Sequence, residues 1–520
     1  MVALLITVSL EEQPLGNSFN SILMGAAGTS GAGIGDGPFW INQQYGGDDD
    51  AYLGITSDSN NNVIVSGLTK SDGAGSQDGF VTKFTNEGAL TFTKTYGGSA
   101  NDSSSDVKVD SSDNIYVSGF LSYDWLTAKF NSSFSKQWQN VKTSTQHPGS
   151  AYDVGDGSAI DSNNKIYTCG YARTQQASYD QGFWSRYDAD GSNFISRSLL
   201  GTNTSNGFCV WYNMDVDPSG NVFLAGVSNF GSSGNVIGVV AKYNSSAALQ
   251  WQRKIGPDAN LTYLRSVAVD ADGTYIYAAG YTTTHGSGQG ATCILLKYNT
   301  SGSLQWQRGF ASSGDTSDVW TDVQVHNGLV YVFGTVPTGP GTENWVIAQY
   351  DTSGNLIFKR TFGNNSSTSG TRTKSARLDF DSTGAMLLCG RTYGNTYAVC
   401  AKLPNDGSLV GTYGSGNDQY IYADSSGLTS FTTNLAEAAH NGVDSSITLA
   451  ASFTCNNGLN CLPPKTVNFL SLIAFAVKTF TTRSILILEY ESPIPKSVPS
   501  LKINAFLFIS IFSASSLVEA

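Results

Sequence analysis

Two kinds of side chain recur through this sequence at spacings that invite chemistry. The first is an aspartate. Asp58, Asp110, Asp161, Asp217, Asp270 and Asp381 each open a stretch such as DSSDNIYVSG, Asp110 to Gly119. Carboxylates repeated in this way could ligate a cation or exchange protons. A short polar side chain followed by Asn or Gly also bonds its own backbone into a tight turn, which explains every copy without any chemistry. The second is a cation: Lys83, Lys129, Arg186, Lys242, Lys297 and Lys402 close a second recurrent stretch. One per repeat, they converge on a substrate only if they reach a common axis, so a stem packed along the protein with a wet head is the expected role. The histidines His147, His285, His326 and His440 are scattered, and neither CxxC nor HExxH occurs. A zinc site or a convergent hydrolase constellation is therefore not expected.

A third set is aromatic. Tyr171, Tyr179, Trp211, Tyr212 and Tyr281 fall in or beside long irregular connections, as do Trp320, Arg377 and Tyr393. Aromatic rings among Asn, Ser and Gly make an adaptable recognition surface suited to stacking on sugars. These eight residues are the expected ligand-binding set. For any one of them, packing between loops is the competing role.

The elements that must position these residues come from repetition. The aspartate stretch ends on Gly67, Gly119, Gly170, Gly226, Gly280, Gly334 and Gly390, separated by 52, 51, 56, 54, 54 and 56 residues. A near-constant period of this size marks an array or a propeller. Each unit reads as four short strands, a to d, such as SSDVKVD, NIYVSGF, WLTAKF and KQWQN in the second copy. No helical period appears. Seven such units predict an all-β, seven-bladed β-propeller of four-stranded antiparallel blades, in which radial closure removes exposed sheet edges. In such a ring the a–b and c–d turns emerge on one face, all tight. The d–a and b–c connections emerge on the other, and their variation is where a binding site would be expected.

The phrases D-x-x-G/N-N-x-Y-V-x-G and K-Y/F-x-x-x-G-x-L-x-W resemble those of the SBBP-type seven-bladed propeller repeat family, over roughly Trp40 to Gly414. The glycine-rich start SILMGAAGTSGAGIGDGPFW is similar to the starts of virion proteins of marine tailed phages, in which SBBP-like propellers recur. The resemblance implies a non-enzymatic recognition or assembly propeller on a virion or tail, binding a host-surface glycan or other virion proteins. The alternative is a secreted or cell-surface bacterial propeller with lyase or glycosidase activity. Against enzyme families, Asp351 and Gly354 in YDTSGNLIF are three apart where a sialidase Asp box has two. No two cysteines are adjacent, as a quinoprotein dehydrogenase would require. No catalytic residue, metal or other cofactor is assigned.

The sequence divides into a flexible lead-in (1–38), the propeller (39–414), a Thr/Ser/Ala-rich extension (415–463) and a tail (464–520) without glycine, although the chain holds 57. The longest uncharged run of the tail, Ile503 to Val518, falls short of the ~20 residues that span a bilayer. It reads as a separate element or a foreign extension, and no membrane segment is expected. The start, MVALLITVSLEEQPLGN, lacks a basic n-region and a cleavage site, so a signal peptide is not expected. A net charge of −12 argues against nucleic acid as partner. Most of the seven cysteines sit at core positions of strands; Cys455 and Cys461 could close a short loop.

Ring closure carries one further expectation. FWINQQYGG, from Phe39, matches strand d, as in LTFTKTYGG from Leu90. The amino terminus should therefore supply the fourth strand of the last blade, pairing Trp40–Tyr45 with Tyr397–Leu403. Ser408–Tyr413, weakened by Gly411, should peel away.

Overall fold

The structure is a computed structural model. It describes residues 18–23, 39–45, 50–71, 73, 76–143, 153–173, 180–200, 208–229, 236–256, 261–283, 290–312, 318–339, 342–364, 376–391, 398–413, 420–424, 429–432, 437–439, 443–445, 450–454 and 460–461. Residues 464–520 form a unit of their own and lie outside the described residues.

The a–b turn of every blade but the sixth is built by its aspartate. Asp58 Oδ1 accepts the backbone N–H groups of Asn60 and Asn62, both at 2.9 Å, and Asp110 does the same for Ser112 and Asn114. The turn places Asn61, Asp113 and Asn164 at φ of 60°, 61° and 60°, which Asn and Asp tolerate better than other non-glycine residues. Seven sheets follow, each with four consecutive antiparallel strands at its centre. They form a seven-bladed β-propeller. Blade 1 comprises Ala51–Ser57, Val63–Thr69, Asp78–Phe84 and Leu90–Tyr96. Blade 7 takes strands a to c from Arg377–Phe380, Met386–Arg391 and Ala398–Leu403.

Trp40–Tyr45 pairs antiparallel with Ala398–Leu403, Trp40 lying opposite Lys402. The amino terminus thus supplies strand d of the last blade. Trp40, Tyr52, Phe80, Leu387 and Cys400 share one buried cluster that joins blade 7 to blade 1. A second strand, Ser18–Leu23, lies outside Trp40–Tyr45 in full register. Within the lead-in expected to be flexible, residues 18–23 thus form a strand, because the free N–H and C=O groups of an edge strand accept an extended segment within reach; the rest of 1–38 lies outside the described residues.

The Thr/Ser/Ala-rich extension contributes outer strands to five blades in descending order. Tyr420–Asp424 pairs with strand d of blade 6 and Thr429–Thr432 with that of blade 5. Glu437–Ala439, Val443–Ser445 and Ala450–Thr454 do the same for blades 4, 3 and 2. Gly411–Tyr413 leaves blade 7 and pairs with Tyr420–Asp424. Only blade 1 has no outer strand among the described residues.

The recurrent Lys and Trp are structural. Lys129 and Trp138 Nε1 both donate to the carbonyl of Ala189 in the next blade's c–d turn, at 3.1 and 3.0 Å. Lys242 and Trp251 share Thr300 O, and Lys297 and Trp306 share Thr352 O. The same lysines face the turn aspartates of their own blades: Lys83–Asp58 at 2.7 Å, Lys129–Asp110 at 3.2 Å and Lys402–Asp381 at 2.6 Å. Burial pushes Asp58 up, but hydrogen bonds from Lys83 and Asn62 outweigh it and hold the carboxyl below its ordinary value. The glycine of each turn makes room for the preceding blade: a methyl on Gly88, at φ +82°, would meet the Trp40 ring at 2.8 Å.

Candidate functional site at the loop-face mouth of the axial channel

The closing glycine of each repeat leads to the site. Strand a of blades 1 to 6 carries a β-bulge, between Tyr52 and Gly54 in blade 1 and between Leu264 and Ser266 in blade 5. The closing glycine lies opposite, and a methyl on it would stand 1.8 Å from Tyr263 O at Gly280 and 2.1 Å from Ser103 O at Gly119. Only glycine admits that carbonyl. A bulge leaves one residue unpaired and re-aims it. On the innermost strand these extra residues are Leu53, Ser105, Asp156, Tyr212, Arg265 and Thr321.

Arg377 of blade 7 shows that this level lies on the axis. Its Nη2 donates to the carbonyls of Tyr212 and Asp156, at 3.3 and 3.5 Å, in blades 4 and 3 on the far side of the ring. Its Nη1 stands 4.0 Å from Asp322. Below the bulges the strands are stitched to each other. Asp106 accepts the N–H and Oγ–H of Ser158, both at 2.8 Å, and Asp322 accepts the N–H of Leu378 at 2.8 Å. Burial pushes the carboxyls of Asp322 and Asp379 up, despite Arg377 near the first and Lys108 near the second. Burial opposes the charge of Lys108, yet Asp106, Asp379 and Asp322 together raise its pKa. Burial also pushes Asp215 up to about 6.

At the loop-face end sits a different arrangement. The Arg265 guanidinium lies over the rings of Tyr212, Tyr263 and Tyr281, at 4.2, 5.1 and 5.8 Å from their centroids. Tyr263 and Tyr281 stack on each other at 4.9 Å. Arg265 is 8% exposed, makes no hydrogen bond or ion pair with any described residue, and its Nε is wholly unpartnered. Burial pushes the carboxyl of Asp156 up to about 7, while the charges of Arg377 and Arg265 pull it down. Burial likewise pushes Tyr212 up to about 12. The arrangement is a cation held on aromatic faces whose Nε, among the described residues, has no hydrogen-bonding partner.

Of the residues singled out from sequence, Tyr171, Tyr212 and Tyr281 belong to this lip: Tyr171, Tyr212 and Tyr263 pack on Val210, Val227 and Val236, and Tyr263 and Tyr281 on Val319. Arg377 closes the channel beneath them. Trp211 and Trp320 are corrected: both are 0% exposed, packed in the cores between blades 3 and 4 and between blades 5 and 6. They precede the bulge, so their side chains point into the sheet interface rather than to the loop face. Tyr179 and Tyr393 lie outside the described residues, as does Cys455. The residues that sequence reading missed are Arg265, Tyr263 and Asp156. Their signal was position: two lie one residue after the strand-a residue that faces the closing glycine. Among the described residues no group of three or more His, Cys, Asp or Glu could hold a metal ion. Among the described residues no helix is long and apolar enough to cross a membrane.

No protein-family model matches the chain, and no curated protein matches it. Among solved structures it is similar to the β-propeller domain of the Trilobed protease from Pyrococcus furiosus, at 10% identity and a TM-score of 0.39, over 68% of this chain and 93% of that one. It is also similar to the gluconolactonase XC5397 from Xanthomonas campestris, at 13% identity and a TM-score of 0.34, over 75% and 99%. Drosophila Semaphorin 1b matches at 9% identity and a TM-score of 0.37, over 68% and 85%. A protease, a gluconolactonase and a semaphorin differ in function from one another, and at these identities none of it transfers to this chain.

Proposed function

We propose that this protein is a recognition propeller that holds an anionic glycan at the loop-face mouth of its axial channel. The observation that carries this reading is Arg265. A buried guanidinium without a hydrogen-bonding partner is costly, and a carboxylate from a ligand would satisfy it with a bidentate pair. The half-buried rings of Tyr212 and Tyr263 beside it offer apolar surface against which the ring of the same sugar can pack. The similarity of the lead-in to phage virion proteins, and of the repeat to the SBBP type, supports a host-surface glycan as ligand and a virion or tail as location.

Titration calorimetry with uronate-bearing oligosaccharides, and with neutral ones of equal length, tests this. Only the acidic series should bind, and Arg265→Gln should weaken it roughly tenfold or more. Affinity should fall as pH rises through about 7, where Asp156 gains its charge beside Arg265, and Asp156→Asn should remove that dependence. Equal binding of neutral and acidic sugars, indifferent to Arg265→Gln, would overturn the assignment. A secreted or cell-surface lyase or glycosidase is the second reading, favoured by one observation: Asp156 stays protonated close to neutral pH, as a general acid must. Release of new reducing ends from the acidic oligosaccharides, lost in Asp156→Asn, would select it.

A further inference from the structure

Independently of the glycan reading, we infer that the outer edge of blade 1, which carries no added strand among the described residues, is a docking site for an extended strand of another polypeptide. The inference starts from what fills the equivalent edges. On blades 4 to 6 the added strand pairs with strand d from its arginine onward, over Arg253–Ile255, Arg308–Ala311 and Arg360–Asn364, and on blade 3 from one residue later, over Ser198–Leu200. On blade 2 it pairs with Val141–Thr143. Aligned through strand c, the blade 1 counterpart is Lys94, Thr95 and Tyr96, opposite Val81, Phe80 and Gly79. The carboxyl-terminal strands occupy blades 6, 5, 4, 3 and 2 in turn, and the amino-terminal strand occupies blade 7. The filling stops one blade short, because Asn460–Cys461 folds back on Ala450–Thr454 instead of moving on.

The vacant seat is accessible. Leu90 is 43% exposed, and Thr91, Lys94 and Thr95 are exposed with it. A strand edge of this kind leaves backbone N–H and C=O groups able to pair with an incoming chain, which is how β-augmentation gains its affinity.

The chemistry of the occupant follows from its neighbours. The strands seated on blades 2 to 5 are TSFT, EAA, VDS and AASFT, rich in Ser, Thr and Ala. At the position of Lys94, blades 3 to 6 carry Arg197, Arg253, Arg308 and Arg360, whose Nε atoms each donate to a carbonyl of the next blade's c–d turn at 2.7 to 2.8 Å. Lys94 is exposed and makes no such bond, so its charge is free to select a partner. On blade 6, Arg360 meets Asp424 of the added strand at 3.5 Å. The occupant is therefore a short extended segment of small β-forming residues, with a carboxylate placed opposite Lys94. A lysine on an open edge also repels basic and apolar strands, which sharpens that choice.

A synthetic peptide copying residues 417–426, NDQYIYADSS, is the probe, since its Asp424 would face Lys94 as it faces Arg360. With the full chain, the peptide should slow hydrogen exchange at residues 94–96 without slowing it in the strands d of blades 2 to 6. Lys94→Glu should weaken binding roughly tenfold, and replacing the peptide aspartate by asparagine should weaken it less. Thr95→Pro provides a second, steric block at an edge position where proline is tolerated. Binding that survives both variants, or protection spread over other blades, overturns the inference. Concentration-dependent dimerisation abolished by the same variants would also overturn it, since a second copy would then hold the edge.

Discussion

Blades 1 and 7 are neighbours at the seam of the ring, built from the same repeat, and finished in opposite ways. Blade 7 borrows its fourth strand from the amino terminus and covers it with Ser18–Leu23, so that Trp40 and Ile41 are fully buried. Blade 1 has all four strands from one continuous stretch, and its outer strand ends the sheet with Phe92 where blades 2, 4, 5 and 7 carry Trp138, Trp251, Trp306 and Trp40. The repeat therefore builds the inner three strands and the turns, while the ends of the chain decide how each outer edge is protected. A blade interrupted by the seam is the one most heavily locked, because opening the ring there requires breaking a sheet as well as a packed interface.

The comparison can be broken most severely at the seam. Removing residues 1–46 strips blade 7 of two strands and exposes the cluster of Tyr52, Phe80 and Cys400. The cooperative thermal transition should be lost or lowered more than by any single substitution, as calorimetry would show. An unchanged transition would mean that the closure adds nothing. Next in size is Lys402→Met. Lys402 and Asp381 are both 0% exposed, and leaving one such charge unpaired costs about 3–5 kcal/mol. The corresponding Lys83→Met in blade 1, where the lysine side chain is 11% exposed, should cost measurably less in chemical denaturation. Equal losses would remove the distinction between the two blades.

A smaller effect is expected from deleting residues 415–463. The transition should stay single and its midpoint fall, while amide exchange in the strands d of blades 2 to 6 rises towards that of Leu90–Tyr96. The smallest effect is a pH slope. The carboxyl of Asp156 rises in the fold from an ordinary 3.8 to about 7 through burial. The folded state therefore favours its protonated form. The stability this confers is fully present below about 4 and is lost as pH rises towards 7. Asp156→Asn should flatten that part of the stability profile, and a slope of the same sign and size in the variant would reject the assignment.

Much of this was readable before any coordinates. The aspartate turns, the strand order within a blade and the structural lysines follow from residues that act within ten or twenty positions of each other. Trp40 was legible as an orphan strand d because WINQQY keeps the pattern of its relatives. Trp211 and Trp320 were misplaced because side-chain direction alternates along a strand, and a bulge one residue further on reverses which neighbour faces the axis. Nothing local marks TSFT, EAA or VDS as strands: each is too short to fold alone and is extended only because an edge is available to pair with it.

The sequence by itself determined the blade, since turn chemistry and period-two burial act over short separations and repeat with the chain. It also marked where the axial residues would be, through the closing glycines that leave room for a bulge. Only the tertiary structure decided which side chains meet on the axis. Arg377 reaches Tyr212 and Asp156 from the opposite side of the ring, at sequence separations of 165 and 221, and that meeting depends on the ring closing with seven blades. Only the tertiary structure, too, decided which described segments of the two ends of the chain cover six of the outer edges. Backbone hydrogen bonding at an edge is blind to sequence, so the choice of which segment fills which edge falls to proximity.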